Sequence, residues 1–334
     1  MSKMIKIAVD AMGGDNSPKK IIDGINHHYK SNANTFYKIF GDKEKIKNYI
    51  NDQLPPSSFE IIHTKDIVKG TDSPLEGAKR GKNTSMWLAI QSVKEKKSDI
   101  VISAGNTGAL LVISKLNLKM IENIDKPALS ALWPNKNNMS VVLDLGANIE
   151  CSPKNLIDFS IMGSSLFKSL YPDDTAKVAL LNIGSEELKG NEIIKETYQQ
   201  LNQRNNTGFE FKGYIEGNQL MNGDVNVIVA DGFTGNVALK TAEGTANFIT
   251  SELKKAMTGN IIGKISSLLN ISNLKKFKAR LDPRLYNGAI FIGLESPVIK
   301  SHGGTDYIGF SNSLSVCTRI VSGNLIEKIR NNIS

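Results

Sequence analysis

Six segments of this chain share one pattern: an apolar, β-branched run that ends in a loop of glycine, asparagine, aspartate or serine. Asp10-Ala11-Met12-Gly13-Gly14-Asp15 follows the first run, and Ser103-Ala104-Gly105-Asn106-Thr107-Gly108 another. Asp144-Leu145-Gly146-Ala147-Asn148, the loop from Asn182 through Gly184 and Lys189 to Asn191, and Asp231-Gly232-Phe233-Thr234-Gly235-Asn236 repeat it. Lys300-Ser301-His302-Gly303-Gly304 closes the series. Each residue type is an ordinary turn former, and any one loop has that plain explanation. Six at the same kind of position point to a ligand. Glycine lets backbone N–H groups approach it closely, and a following helix N-terminus favours an anion.

The usual nucleotide loops are not there. Gly13-Gly14 does not supply a G-x-G-x-x-G fingerprint. Gly77-Ala78-Lys79-Arg80-Gly81-Lys82 and Gly259-Asn260-Ile261-Ile262-Gly263-Lys264 each fall one residue short of a P-loop, and neither lysine precedes Ser or Thr. Inorganic phosphate or a phosphate ester remains, with Lys189, Lys240, Lys300 and Arg80 as the nearby cations; each also reads as a solvated surface charge. No nucleophile stands out. Cys151 reads as a small buried thiol. Ser301 and His302 are chain neighbours and do not form a dyad. His27 and His28 read as surface residues, and His63 as a structural one. No HExxH or paired Cys/His spacing suggests a metal, and no cofactor is indicated.

The elements that must carry these loops alternate. Strand-like runs lie at 5–9, 36–40, 59–63, 99–103, 140–145, 177–182, 224–230, 288–292 and 298–300. Helical patterns lie at 18–30, 84–96, 106–118, 155–170, 191–202, 234–257 and 311–330. Such alternation predicts an α/β fold with a largely parallel sheet covered by helices on both faces. In an open parallel sheet the carboxyl ends of strands share one edge, so the six loops are expected to meet in a single cleft. No linker or low-complexity stretch divides the chain. The expectation is one catalytic domain, 1–334, with a protruding basic amphipathic helical element at about 250–284.

Composition narrows the class. Of 334 residues, 40% are hydrophobic, enough for a core and against disorder. Two cysteines exclude a disulfide scaffold. No apolar run is long enough to cross a membrane, and the N-terminus lacks a signal peptide's core, so a cytoplasmic protein is expected. The net charge is +8, but only six of the 41 basic residues are arginine and aromatics make up 7%. A nucleic-acid reader would show arginine clusters and interleaved aromatics, so nucleic acid is not an expected partner.

Taken together, the loops resemble the bacterial phosphate acyltransferases of phospholipid synthesis, the PlsX family. The resemblance rests on IAVDAMGGD (7–15), DSPLEGAKRGKNTSM (72–86), SAGNTGALL (103–111), LDLGANIECSP (143–153), LLNIGSEELKGNE (180–192), DGFTGNVALKTAEG (231–244) and VIKSHGG (298–304). It implies transfer of a long-chain acyl group from acyl carrier protein to inorganic phosphate. A membrane acyltransferase then passes that group to glycerol 3-phosphate. It also implies a homodimer with a fold like the isocitrate/isopropylmalate dehydrogenases and the phosphotransacetylases. Phosphate itself attacks the thioester, which explains the missing nucleophile. On this resemblance Lys189 and Lys240, with the amides of Gly105, Thr107, Gly108 and Gly235, hold phosphate. Asn106, Asn148 and Asn236 orient it or stabilise the oxyanion. Asp10, Asp144 and Asp231 position the lysines and loop dipoles. Gly13, Gly14, Arg80, Ser103, Gly184, Lys300 and His302 complete the site. Asn16 departs from the family, standing where many relatives have His. A phosphotransacetylase-like enzyme using acetyl-CoA, an NAD-dependent dehydrogenase and a silent lipid- or phosphate-binding scaffold are the alternatives.

Between Glu252 and Asp282 there is no acidic residue, but there are Lys254, Lys255, Lys264, Lys275, Lys276, Lys278 and Arg280. Ile261, Ile265, Leu268 and Leu269 share one helical face. The segment reads as a core-packed hairpin, a peripheral contact with anionic membrane, or a dock for the acidic carrier protein. Family resemblance favours the membrane.

Overall fold

The computed structural model describes residues 4–204 and 208–333, without the side chains at 263, 264, 267 and 278, so the side chains of Lys264 and Lys278 in the basic segment lie outside the described ones. Its elements in chain order begin with β1 (Ile5–Asp10), α1 (Lys19–Tyr29), β2 (Thr35–Gly41), α2 (Lys43–Lys47) and β3 (Phe59–His63). Then come α3 (Pro74–Lys79), α4 (Ser85–Lys94), β4 (Ile100–Ser103), α5 (Thr107–Asn117), β5 (Ala128–Pro134) and β6 (Met139–Leu143). The second half holds α6 (Pro153–Leu170), β7 (Lys177–Asn182), α7 (Glu192–Gln203), β8 (Glu210–Glu216), β9 (Val227–Val229) and α8 (Gly232–Thr258). It ends with α9 (Ile261–Leu269), α10 (Ile271–Arg280), β10 (Ala289–Ile292), β11 (Val298–Lys300), α11 (Tyr307–Ser322) and α12 (Leu325–Ile333).

Local chemistry explains where the helices start. Thr84, Asn106, Ser152, Asn191 and Asp231 cap α4, α5, α6, α7 and α8, each accepting a backbone N–H of the first turn. Pro153 sits at the head of α6, where its missing N–H costs nothing. The expected single C-terminal helix is two, because the chain turns at Gly323 and Asn324 between α11 and α12.

All eleven strands form one sheet in the order β3-β2-β1-β4-β11-β10-β5-β6-β9-β7-β8. Seven of its ten pairings are parallel, in agreement with the sequence reading; β11–β10, β10–β5 and β5–β6 are antiparallel. One face is covered by α1, α6, α7, α11 and α12 around a core that includes Ile21, Ile25, Phe159, Leu166 and Phe310. The other carries α4 and α5 on its first half and the first turns of α8 on its second.

The three antiparallel pairings reverse the sheet's direction. β1, β2, β3, β4 and β11 run one way, while β6, β7, β8 and β9 run the other. The expected convergence of six loops on one edge therefore does not follow. Three loops leave β1, β4 and β11 in one direction and three leave β6, β7 and β9 in the other, although the carboxyl ends lie at nearly one level: Leu143 is level with Ile102 through Ser130, Ile290 and Ile299. Six strand spacings, about 29 Å, separate β4 from β7 along the sheet.

Helix α8 leaves this frame. Only Gly232 and Gly235 of its 27 residues are buried. Beyond Ala238, Leu239 and Ala242, which pack on the core, most described apolar side chains of α8 to α10 stand in solvent, with Ile261 75% and Leu268 68% exposed. Gly235 docks the helix: a Cβ there would lie 1.9 Å from the Asp144 carbonyl oxygen. Gly235→Ala is expected to destabilise the chain by about 2 kcal/mol or more by overpacking, read as a lowered urea midpoint. An unchanged midpoint would show that α8 is not seated by this contact.

Candidate functional site

The first loop group is organised by Asp10, 1% exposed at the end of β1. Its carboxylate accepts the Ser85 and Ser103 hydroxyls, each at 2.6 Å, and the Met12 amide at 3.2 Å. Ser103 in turn accepts the Gly105 amide at 3.0 Å. Burial pushes the Asp10 pKa up; the Ser103 and Ser85 hydroxyls, the Met12 amide and the Lys300 charge pull it back. Gly13 touches the same point, since a Cβ there would meet the Gly105 nitrogen at 2.6 Å and an Asp10 oxygen at 2.7 Å. Only glycine allows the two loops to cross so closely.

Lys300, at the end of β11, points into this group and is 9% exposed. Its ammonium donates to the Ser301 carbonyl. Burial, joined by the Lys20 charge and opposed by Asp10, lowers its pKa to about 8. Lys20, on the first turn of α1, is 6% exposed and donates to the Gly303 carbonyl. Burial lowers its pKa, and Asp15 opposes that. Gly14 completes the contact, with Ala104, Gly303 and Lys20 around it. The arrangement is a glycine-walled turn with two buried ammonium groups, suited to an oxyanion.

The second group is organised by Asp144, which is fully buried. Its carboxylate accepts the amides of Leu129, Gly146, Ala147 and Asn148, at 2.7 to 3.2 Å, and the Asn148 side-chain amide at 2.8 Å. Burial pushes its pKa up and these donors oppose it. Asn148 also holds the Pro127 carbonyl, at 2.7 Å, and its own carbonyl accepts the Gly232 amide, at 2.8 Å. Asp231 caps α8 through Thr234. Asn236 is exposed beside Gly146. Lys240 is exposed and paired with Glu243 at 2.8 Å. Lys189 is exposed on the loop after β7, packed against Gly184.

The sequence-predicted residues thus divide. Asp10, Gly13, Gly14, Ser103, Gly105 and Lys300 come together. Asp144, Asn148, Asp231, Gly235 and Asn236 form the second group, with Lys189, Gly184 and Lys240 on its outer side. Among the described residues no hydrogen bond or ion pair joins the two groups. Arg80 is engaged elsewhere, forked onto Asp72. Asn106 caps α5 and ties down the Gly70 and Asp72 carbonyls. Thr107 opens α5 in solvent, Gly108 packs on Pro74, and His302 is exposed with its ring accepting the Gly304 amide. Cys151 is a buried thiol, pushed up to about 11 by burial and the Asp144 charge, which makes it a poor nucleophile. His28 corrects the surface reading: it is 2% exposed and bonded to Tyr37 at 2.6 Å. Lys20 and Ser85 are functional candidates that the motif reading missed.

The architecture is shared with phosphotransacetylases and dehydrogenases of small phosphorylated substrates. EutD phosphotransacetylase from Staphylococcus aureus matches with a TM-score of 0.61 at 14% identity, over 96% of this chain and 94% of that one. A 4-hydroxythreonine-4-phosphate dehydrogenase from Klebsiella pneumoniae matches at 0.54 and 12% identity, over 96% and 100%. At such identities the likeness is one of fold, and the class is an α/β protein of that architecture. In sequence, the family described as "Fatty acid synthesis protein" matches residues 5–328. A phosphate acyltransferase from Pelagibacter ubique is 95% identical over 333 residues, all of both chains. One from Rhodospirillum rubrum is 42% identical over 335 residues, covering all of this chain and 96% of the other. The chain belongs to the phosphate acyltransferase family, as its loops resemble, and is an acyl-transferring enzyme.

The buried charge on Lys300 has a measurable consequence. Its fall from 10.5 to about 8 corresponds to about 3 kcal/mol against the charged form. Between those pH values the unfolded chain keeps the proton that the folded chain has released, so stability rises with pH. Lys300→Met keeps the stem and removes the charge. In phosphate-free buffer at pH 7 it is expected to be about 1–3 kcal/mol more stable than the parent, with the gap closing toward pH 10.5. A variant that is less stable at pH 7 would mean that the charge is well compensated.

Proposed function

We propose that this enzyme transfers a long-chain acyl group from acyl carrier protein to inorganic phosphate, supplying acyl phosphate for phospholipid synthesis. The observation that carries the reading is the Lys300 seat: a buried ammonium facing a glycine-walled turn, in a chain whose 95% identical relative is called a phosphate acyltransferase. Phosphate is a competent nucleophile once held, so the protein needs to supply position and charge, not a covalent residue. A phosphate oxygen forms the new C–O bond at the thioester carbon. The C–S bond breaks, and the carrier's thiolate leaves, taking up a proton from solvent.

In this reading Asp10, Gly13, Gly14, Ser103, Gly105 and Lys300 seat phosphate. Lys189, Lys240 and Asn236 act on the other reactant: the lysines meet the acidic carrier protein, and Asn236 donates to the developing oxyanion. Ala147 supports a shared cleft, because this member of the second group packs against the α4/α5 side, while Leu129 packs on both halves. Asp144, Asn148, Asp231, Asn106 and Arg80 hold the loops in shape.

We further read the chain as one catalytic unit that works as a homodimer in the cytoplasm and touches anionic membrane peripherally through α9 and α10. Their exposed Ile261, Ile265 and Leu268, beside Lys275 and Lys276, support that reading. No helix among the described residues is long and apolar enough to cross a membrane. The product would pass to a membrane acyltransferase that acylates glycerol 3-phosphate.

The deciding assay is acyl phosphate formation from acyl carrier protein thioester and phosphate, with acetyl-CoA as the comparison donor. Product is expected from the carrier-bound donor. Lys300→Ala, Lys189→Ala and Lys240→Ala are each expected to lower kcat or raise a KM by about 10²-fold; parent kinetics in all three would overturn the site. An Ile261→Glu/Leu268→Glu variant should lose co-sedimentation with anionic liposomes while keeping soluble turnover. Retained binding would count against membrane contact through α9.

A further inference from the structure

We propose that Lys20 is a second cationic ligand of the oxyanion seat, acting with Lys300 to favour a doubly charged oxyanion over a singly charged one. The proposal rests on the reading that this seat takes phosphate, and it names the residue that sets the seat's charge. Lys20 lies outside every segment that carries the family resemblance, and its neighbour Lys19 behaves in the ordinary way. Lys19 is exposed and pairs with Asp23 at 2.6 Å, one helical turn along α1. Lys20 turns inward on the same helix.

Three observations carry the argument. First, the two buried ammonium groups are close enough for the Lys20 charge to depress Lys300. Second, among the described residues neither forms an ion pair within 4.0 Å. Asp10, the buried carboxylate of the group, takes its hydrogen bonds from two hydroxyls and an amide, and it and Asp15 act on the lysines only through space. Third, an ammonium has three N–H donors, and each of these lysines has a single backbone carbonyl as its acceptor here. Two like charges with donors to spare, held away from water, are costly unless something anionic meets both.

The geometry brings both ammonium groups to one loop: Lys20 holds the Gly303 carbonyl and Lys300 the Ser301 carbonyl, two residues apart after β11. The carbonyl of Gly303 accepts both Lys20 and the Asp15 amide, at 3.0 Å for the latter, which fixes the loop that follows Lys300. Lys20 therefore reaches the seat from α1 while Lys300 reaches it from β11. An oxyanion between them would take charge-assisted hydrogen bonds from two directions. A monoanion such as acetate or chloride balances only one of the two charges, and inorganic phosphate near neutral pH balances both.

The test uses the full chain with inorganic phosphate as the probe and acetate as the monoanion. Thermal midpoints are read against anion concentration, and the KM values for phosphate and for acyl donor are measured separately. The parent is expected to gain stability with phosphate and not with acetate. Lys20→Met should need about tenfold or more phosphate for the same gain, and its phosphate KM should rise by a similar factor with the acyl-donor KM unchanged. Lys20→Arg should restore most of both. If Lys20→Met responds to phosphate like the parent while Lys300→Met does not respond, the Lys20 assignment falls and the seat stands. If phosphate stabilises neither parent nor variants, the seat itself falls. If Lys20→Met raises both KM values equally and Lys20→Arg rescues neither, Lys20 is a prop for the Gly303 loop and the proposal is overturned.

Discussion

The placement of one buried carboxylate governs the first half of the site. Asp10 ends β1 almost fully buried and takes its donors from within the protein. It takes them from Ser103 at the end of β4 and Ser85 at the start of α4. Those two bonds tie together elements that are 75 or more residues apart in the chain. They also fix the turn at Gly105 against Gly13. With its hydrogen bonds so occupied, Asp10 acts on Lys300 through space and not through a direct bond. The same carboxylate that builds the turn thereby leaves the ammonium donors of Lys300 and Lys20 open to another acceptor.

Asp144 solves the matching problem on the second half with a different result. It is buried as deeply, but it meets five N–H donors, four of them backbone amides. A carboxylate so saturated is a scaffold, and no charge is left beside it in need of a partner. The turn it holds receives Gly232 and Gly235, and so sets the angle at which α8 leaves the sheet. Two aspartates at equivalent places in the sequence pattern thus do different work: one concentrates positive charge, the other aims a helix.

Much of this was legible in residue order. The alternation of runs gave the α/β class, and six of the seven expected helical ranges match a helix within two residues at each end. Strand direction was not legible, because it depends on connections that composition barely marks. The decisive one is the hairpin between β5 and β6. Ala128–Pro134 and Met139–Leu143 flank Asn135-Lys136-Asn137-Asn138, a turn-rich tetrad between two apolar runs. Reading β5 as a strand there would have reversed β6 and separated the six loops into two groups. A second omission has a helical cause. Lys20, Gly24 and His28 lie four residues apart on one side of α1, and all three are buried. A lysine and a histidine near other polar residues look like surface by composition. Their shared spacing with Gly24 is the signal that they face inward.

The opposed directions of the two half-sheets bear on why the chain carries an apolar arm at all. An acyl-transfer enzyme must bring a charged acceptor and a greasy donor to one carbon atom, yet a single seat rich in buried ammonium groups is hostile to hydrocarbon. Dividing the sheet lets each half present a different surface. The first half offers cationic turns walled by glycine. The second offers exposed Ile149, Ile183, Leu188, Phe233 and Val237 among Lys189 and Asn236, and then continues into α8, α9 and α10. Polar and apolar chemistry remain apart in the fold and meet only over the middle strands, where Leu129 packs on both sides. Under the proposed function, the reversal in the sheet that spoils the simple one-edge expectation is what would let one chain handle an anion and an acyl chain without either contaminating the other's surroundings.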